Sequence, residues 1–195
     1  MPEPKTDKPK GPASCLIAWL LVLLLGASPA AAQQQSGLGW KQDDAVADTD
    51  PSRASKSGFG VLMLVTSDHE GFWKAWAGTT PPNVSTTDQV TRGRPVHAIL
   101  LFSGCRPAAD GECNVTMELA VSGPSGAAYG ETMKAMVWSG PPAPAYKLQA
   151  AEGSLGFVLE PEDALGRYTL RAAVTDHVAG LTLPVQQTVE AVEAN

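Results

Sequence analysis

An all-β fold, a sandwich or barrel, is what this sequence predicts for the part of the chain that follows residue 57. Two observations carry the prediction. Apolar residues recur at every second position in several runs, and turn-forming residues interrupt the chain roughly every 8–12 residues with no helical period between them. The interruptions are Pro81-Pro82, Gly104, Asp110-Gly111, Gly123-Pro-Ser-Gly126, Gly140-Pro-Pro142 and Gly153.

The chain opens on an export signal. Lys5, Lys8 and Lys10 give a basic start, and Cys15 to Gly26 is an apolar run of 12 residues. Ala30 and Ala32 then meet the small-x-small rule of a signal peptidase, which predicts a signal peptide over 1–32 with cleavage after Ala32. The run is shorter than the roughly 20 residues that a membrane-spanning helix needs. The competing reading, an uncleaved anchor, is opposed by Pro29 and the small residues around it. Residues 33–57 are rich in Gln, Ser, Asp, Ala and Lys, with Trp40 as the single aromatic residue, and read as a flexible linker. Residues 58–192 are left as one domain of ordinary size.

Cleavage at Ala32 leaves 11 basic and 18 acidic residues, a net charge of −7. Such acidity argues against a nucleic-acid partner and against docking on anionic lipid. Cys15 departs with the signal, and Cys105 and Cys113 remain. An even pair in an oxidising compartment predicts a disulfide, closing a short loop around the Asp110-Gly111 turn. The chain-entropy relation gives such a ring roughly 2.6 kcal/mol of stabilisation. A redox pair would show C-x-x-C at a helix start, which is missing.

In chain order the predicted strands begin with Phe59–Thr66, uniformly apolar and therefore central. Phe72–Ala77 is a short candidate, with Phe72, Lys74 and Trp76 on one face and Trp73 on the other. Pro95–Phe102 is again central. Asn114–Val121 alternates, with Val115, Met117, Leu119 and Val121 inward. Met133–Trp138, Tyr146–Ala150 and Leu155–Glu160 are shorter candidates. Arg167–Thr175 turns Tyr168, Leu170, Ala172 and Val174 inward, and Leu181–Val185 carries Pro184, a mark of an edge strand. Pro161 to Leu165 is the one expected helical turn, with Glu160, Glu162 and Asp163 capping it.

The segment Asp163-Ala-Leu-Gly166-Arg-Tyr168 resembles the tyrosine corner of immunoglobulin-like domains, in which the Tyr hydroxyl bonds back across the preceding turn. With Arg94-Pro-Val-His97, Phe102-Ser-Gly-Cys105, Gly111-Glu-Cys113 and Gly123-Pro-Ser-Gly126, the region 59–190 resembles exported bacterial immunoglobulin-like domains of unassigned function. The resemblance implies an antiparallel immunoglobulin-like β-sandwich of about seven to nine strands. It also implies a structural role for Asp163, Gly166 and Tyr168.

No catalytic signature is present: there is no G-x-S-x-G, no S-x-x-K and no phosphate-binding glycine loop ahead of a helix. The expected function is therefore a non-enzymatic extracytoplasmic binding or accessory module, periplasmic or secreted, without a cofactor. It would meet a protein partner in the cell envelope through Phe72, Trp73 and Trp76, because exposed Trp dominates binding hot spots. Two rival readings follow from other residues. His69, His97 and His177, two of them beside acids, would serve a periplasmic metal carrier of the copper type. Trp73, Trp76 or Trp138 would serve a carbohydrate-binding module as a stacking platform. The plainer reading makes the histidines exposed turn residues and the methionines Met117 and Met133 core.

Overall fold

A computed structural model of the chain describes residues 50–77, 83–144 and 147–193. The expected signal peptide and most of the expected linker lie outside them. Nine strands and one helix make up the described residues. In chain order they are β1 (Arg53–Lys56), β2 (Phe59–Thr66), α1 (His69–Trp76), β3 (Gln89–Thr91), β4 (Pro95–Ser103) and β5 (Cys113–Ser122). Then follow β6 (Met133–Gly140), β7 (Gln149–Val158), β8 (Gly166–Asp176) and β9 (Leu181–Val192). Among the described residues no helix is long and apolar enough to cross a membrane.

The strands form two packed sheets, β1-β2-β4-β7 and β3-β9-β8-β5-β6. All pairings are antiparallel except β3 with β9. The order β9-β8-β5-β6 corresponds to the G-F-C-C′ sheet of immunoglobulin-like domains, with β8 as strand F. The sandwich expectation is met, and the barrel is excluded by the two separate sheets.

Period-2 alternation explains the core. Val96, Ala98, Leu100 and Phe102 of β4 point between the sheets, where they meet Leu170, Val174 and Val189 of the opposing layer. The intervening residues Ile99 and Leu101 point outward, yet they too are buried. With Leu62 and Leu64 of β2, Ala150 of β7 and Phe72 of α1 they form a second apolar cluster on the outside of the four-stranded sheet. This double burial is why β2 and β4 read as continuous apolar runs.

Three expectations need correction. Phe72 to Trp76 is helical, not a strand. Asp68 caps the helix by accepting from the Gly71 amide at 2.9 Å, and Glu70 and Lys74 sit at the ends that suit the helix dipole. The sheet begins at Arg53, inside the span expected as linker, with Arg53 opposite Leu62 and Ser52 buried. Pro184 does not mark an edge strand, since β9 lies between β3 and β8. It sits in the half of β9 that β3 does not reach, because β3 pairs with Glu190 to Val192 alone, so its missing N–H leaves no ladder bond unmade on that side.

Two further details differ. The candidates at Tyr146–Ala150 and Leu155–Glu160 meet in one strand, β7, over Gln149–Val158, with Tyr146 outside the described residues; β7 bulges opposite the Ile99 to Leu101 stretch. Met133 is 42 % exposed on the edge strand β6, not part of the core.

Candidate functional site

The outer face of the four-stranded sheet carries a cluster of polar and aromatic side chains around α1. His69, Phe72, Trp73 and Trp76 follow the i, i+3, i+4, i+7 spacing and so share one face of α1. Phe72 is 2 % exposed and anchors the helix. Trp76 stacks on its ring, with centroids 5.6 Å apart at 13°, and Trp73 meets it edge-on at 5.1 Å. Phe72 is therefore excluded as a direct contact for a partner. Trp73 and Trp76 are half-buried, and Lys74 between them is exposed.

His97 stands on β4, opposite Thr66 of β2 and Gly156 of β7. Its ring stacks on His69 with centroids 4.0 Å apart at 23°. Gly156 makes room for it, since a Cβ there would lie 3.1 Å from the imidazole Cε1. The Ser154 hydroxyl, also on β7, lies 2.9 Å from His69 Nε2 and 3.4 Å from His97 Nδ1. The Trp73 indole N–H donates to the same His69 Nε2 at 2.9 Å. An indole can only donate, so His69 Nε2 carries no proton in this arrangement. Burial, reinforced by neighbouring His69, pushes the His97 pKa below the ordinary histidine value.

His177 is elsewhere. It is exposed after β8, on the five-stranded sheet, with Nε2 2.7 Å from the Thr116 hydroxyl. The three histidines of the metal-carrier reading are thus not assembled. Among the described residues no three His, Cys, Asp or Glu side chains come together as a metal site. Trp138 is separated from Trp73 and Trp76 as well. It lies on β6, packs on Phe102 at 6.3 Å and donates to the Pro141 carbonyl at 3.0 Å. Trp138 therefore stands apart from the Trp73 and Trp76 pair.

The corner before β8 has the hydrogen-bond geometry of the motif. The Tyr168 hydroxyl, on a residue 1 % exposed, donates to the Ala164 carbonyl at 2.9 Å. Gly166 adopts φ +115°, a conformation a side chain rarely tolerates, and an added Cβ would press on Pro124 at 3.3 Å. Asp163 Oδ2 accepts from the Glu160 amide at 2.7 Å, which makes it the cap of a turn. The five residues from Pro161 form that turn without a helix.

Sequence reasoning missed three contributors. Tyr129 donates to Asp163, Arg92 donates to the Asp163 carbonyl at 2.7 Å, and Arg92 also pairs with Glu193. Only the tertiary fold brings these together.

The disulfide expectation holds: Cys105 and Cys113 are bonded, with Cα atoms 6.0 Å apart, and both are buried. Asp176, the acid beside the exposed His177, is fully buried. Its carboxylate accepts from the amides of Arg106 at 2.7 Å and of Val178 and Ala179 at 3.0 Å each. The pattern Asp176-His177 hid this, because such a carboxylate is satisfied by backbone donors that no side-chain motif reveals.

No family model matches the chain, and no curated protein matches it. Among solved structures, similarity is found to the CARDB domain of a Pyrococcus furiosus protein, described in complex with di-metal ions. That likeness has 9% identity and a TM-score of 0.38, covering 72% of this chain and 100% of that one. A family 123 glycoside hydrolase from Clostridium perfringens gives 8% identity and 0.38, over 69% of this chain and 28% of the hydrolase. The Pseudomonas fluorescens alkylpurine DNA glycosylase, described as bound to DNA with an abasic site analog, gives 13% and 0.35. There 53% of this chain covers 27% of the glycosylase.

Proposed function

We propose that this protein is a non-enzymatic extracytoplasmic binding or accessory module that presents the α1 face of its sandwich to a protein partner in the cell envelope. The observation that carries the reading is the pair of half-buried tryptophans, Trp73 and Trp76, braced by the buried Phe72 with exposed Lys74 between them. Rigid aromatic side chains lose little entropy on contact and supply most of the energy at interface hot spots. The outer face of the five-stranded sheet offers the opposite character, with Thr169, Thr175, Thr182 and Arg171 along its strands. A signal over 1–32, a disulfide and a net charge of −7 after cleavage suit a periplasmic or secreted protein that avoids nucleic acid.

The test places a photo-crosslinking residue at Lys74, and separately at Lys134 on β6, in the full chain expressed in its own cell. A discrete adduct from position 74, absent from position 134 and lost on Trp73→Ala with Trp76→Ala, supports the reading. Identical adducts from both positions, or none from position 74, overturn it.

A further inference from the structure

We infer that His69, His97, Ser154 and Trp73 form a proton-sensitive latch, which fastens α1 to the four-stranded sheet at neutral pH and loosens it in mild acid. The latch is independent of the binding role. Two donors, the Trp73 indole N–H and the Ser154 hydroxyl, converge on His69 Nε2. The serine has one proton to give and a second acceptor in His97 Nδ1. The indole bond is made only while His69 Nε2 is bare, whereas His97 Nδ1 can either accept from the Ser154 hydroxyl or donate to it. A proton on His69 Nε2 removes the acceptor and sets two N–H groups against each other.

The stacked geometry adds a second penalty. A charge on either ring is held 4.0 Å from the other imidazole, in a half-buried position, and charging both is opposed further. The groups around the pair do little to offset it. On α1 and its cap these are Asp68, Glu70 and Lys74, the first of which is engaged by the Gly71 amide. β2 has no ionisable side chain, and Arg94 precedes β4. Glu152 of β7 and Asp88 ahead of β3 are exposed. The one charged neighbour that shifts His97 is His69 itself, an effect in the same direction as burial.

The direction follows. Docking holds the His97 pKa below its ordinary value, so this contribution is fully present above about 6.5 and fades as the pH falls below it. Histidine is the side chain suited to such a response in this range.

Hydrogen exchange of the full chain at pH 7.5 and 5.5, corrected for intrinsic rates, tests the latch. Protection of residues 69–76 is expected to fall at least ~3-fold at the lower pH, as a local opening separate from global unfolding. Protection within β8 is expected to stay unchanged. The Trp73 indole N–H, assigned by its loss in Trp73→Phe, is expected to shift upfield over the same interval. The His69→Gln with His97→Gln double variant keeps an acceptor but cannot titrate, and is expected to lose the pH dependence. Protection of α1 in the wild-type chain that is equal at both pH values overturns the inference. So does a pH dependence that persists in the double variant. The wild-type comparison decides even if the variant fails to fold.

Discussion

The Tyr129 hydroxyl donates to Oδ2 of Asp163 at 2.5 Å, joining the loop between β5 and β6 to the turn before β8. Its ring also meets Tyr168 edge-on, with centroids 5.2 Å apart. Burial first, and then the Asp163 carboxylate, raise the Tyr129 pKa above the ordinary tyrosine value. The folded state therefore resists ionisation more than the unfolded one does. That stability is fully present below roughly pH 10 and is lost as the pH climbs above it. Tyr129→Phe is expected to lower the unfolding free energy by about 1 kcal/mol at pH 7. Urea titrations at pH 7 and pH 10.5 should find the alkaline loss smaller in the variant than in the wild type.

Tyr168→Phe removes the bond to the Ala164 carbonyl and little else, because the ring stays in the core. A cost of about 1–2 kcal/mol is expected by urea denaturation. Gly166→Ala should cost at least as much, since it adds backbone strain to contact with Pro124. Equal stability of Gly166→Ala and wild type would contradict the assigned geometry of the corner.

Reducing the disulfide, or replacing Cys105 and Cys113 together by Ser, is expected to cost about 2–3 kcal/mol in unfolding free energy. Exchange rates should rise first in residues 106–112, the loop that the bridge closes.

Asp176→Ala should be among the most damaging single changes in the chain. It strips three backbone amides of their acceptor at a position with no solvent exposure. The expected loss is about 3 kcal/mol or more, measured by thermal and urea unfolding. Asp176→Asn keeps one acceptor oxygen and should lie between the variant and the wild type.

Phe72→Ala is expected to cost about 3–4 kcal/mol and to release α1 before the sandwich unfolds. Helical signal and protection at 69–76 should disappear at a urea concentration that leaves β4 and β8 protected.

The strands were legible wherever a sheet face obeys period 2, as in β5 and β8, or where both faces are buried, as in β2 and β4. The helix was not legible, and the reason is local. Phe and Trp favour strands, and an eight-residue element gives a helical period only two turns in which to compete. The signal that could have found it was Asp68 as a cap, followed by His69, Phe72, Trp73 and Trp76 at helical spacing. The histidine pair was beyond reach for another reason. His69 and His97 meet only because β2 pairs with β4 so that Thr66 faces His97, which places the start of α1 above that ring. Cross-strand register of this kind is a property of the assembled sheet. The Tyr129–Asp163 bond spans 34 residues and escaped notice for the same reason.

β9 holds β8 along one side and, through residues 190–192, β3 along the other. A chain emerging in order from its N-terminus therefore carries β3 with no partner until the final strand arrives. The β3 edge of the five-stranded sheet cannot form before β9 is free. β2, β4 and β7 pair with one another without β9, so the four-stranded sheet can assemble first and the β3 edge is the last part of the fold to be fixed.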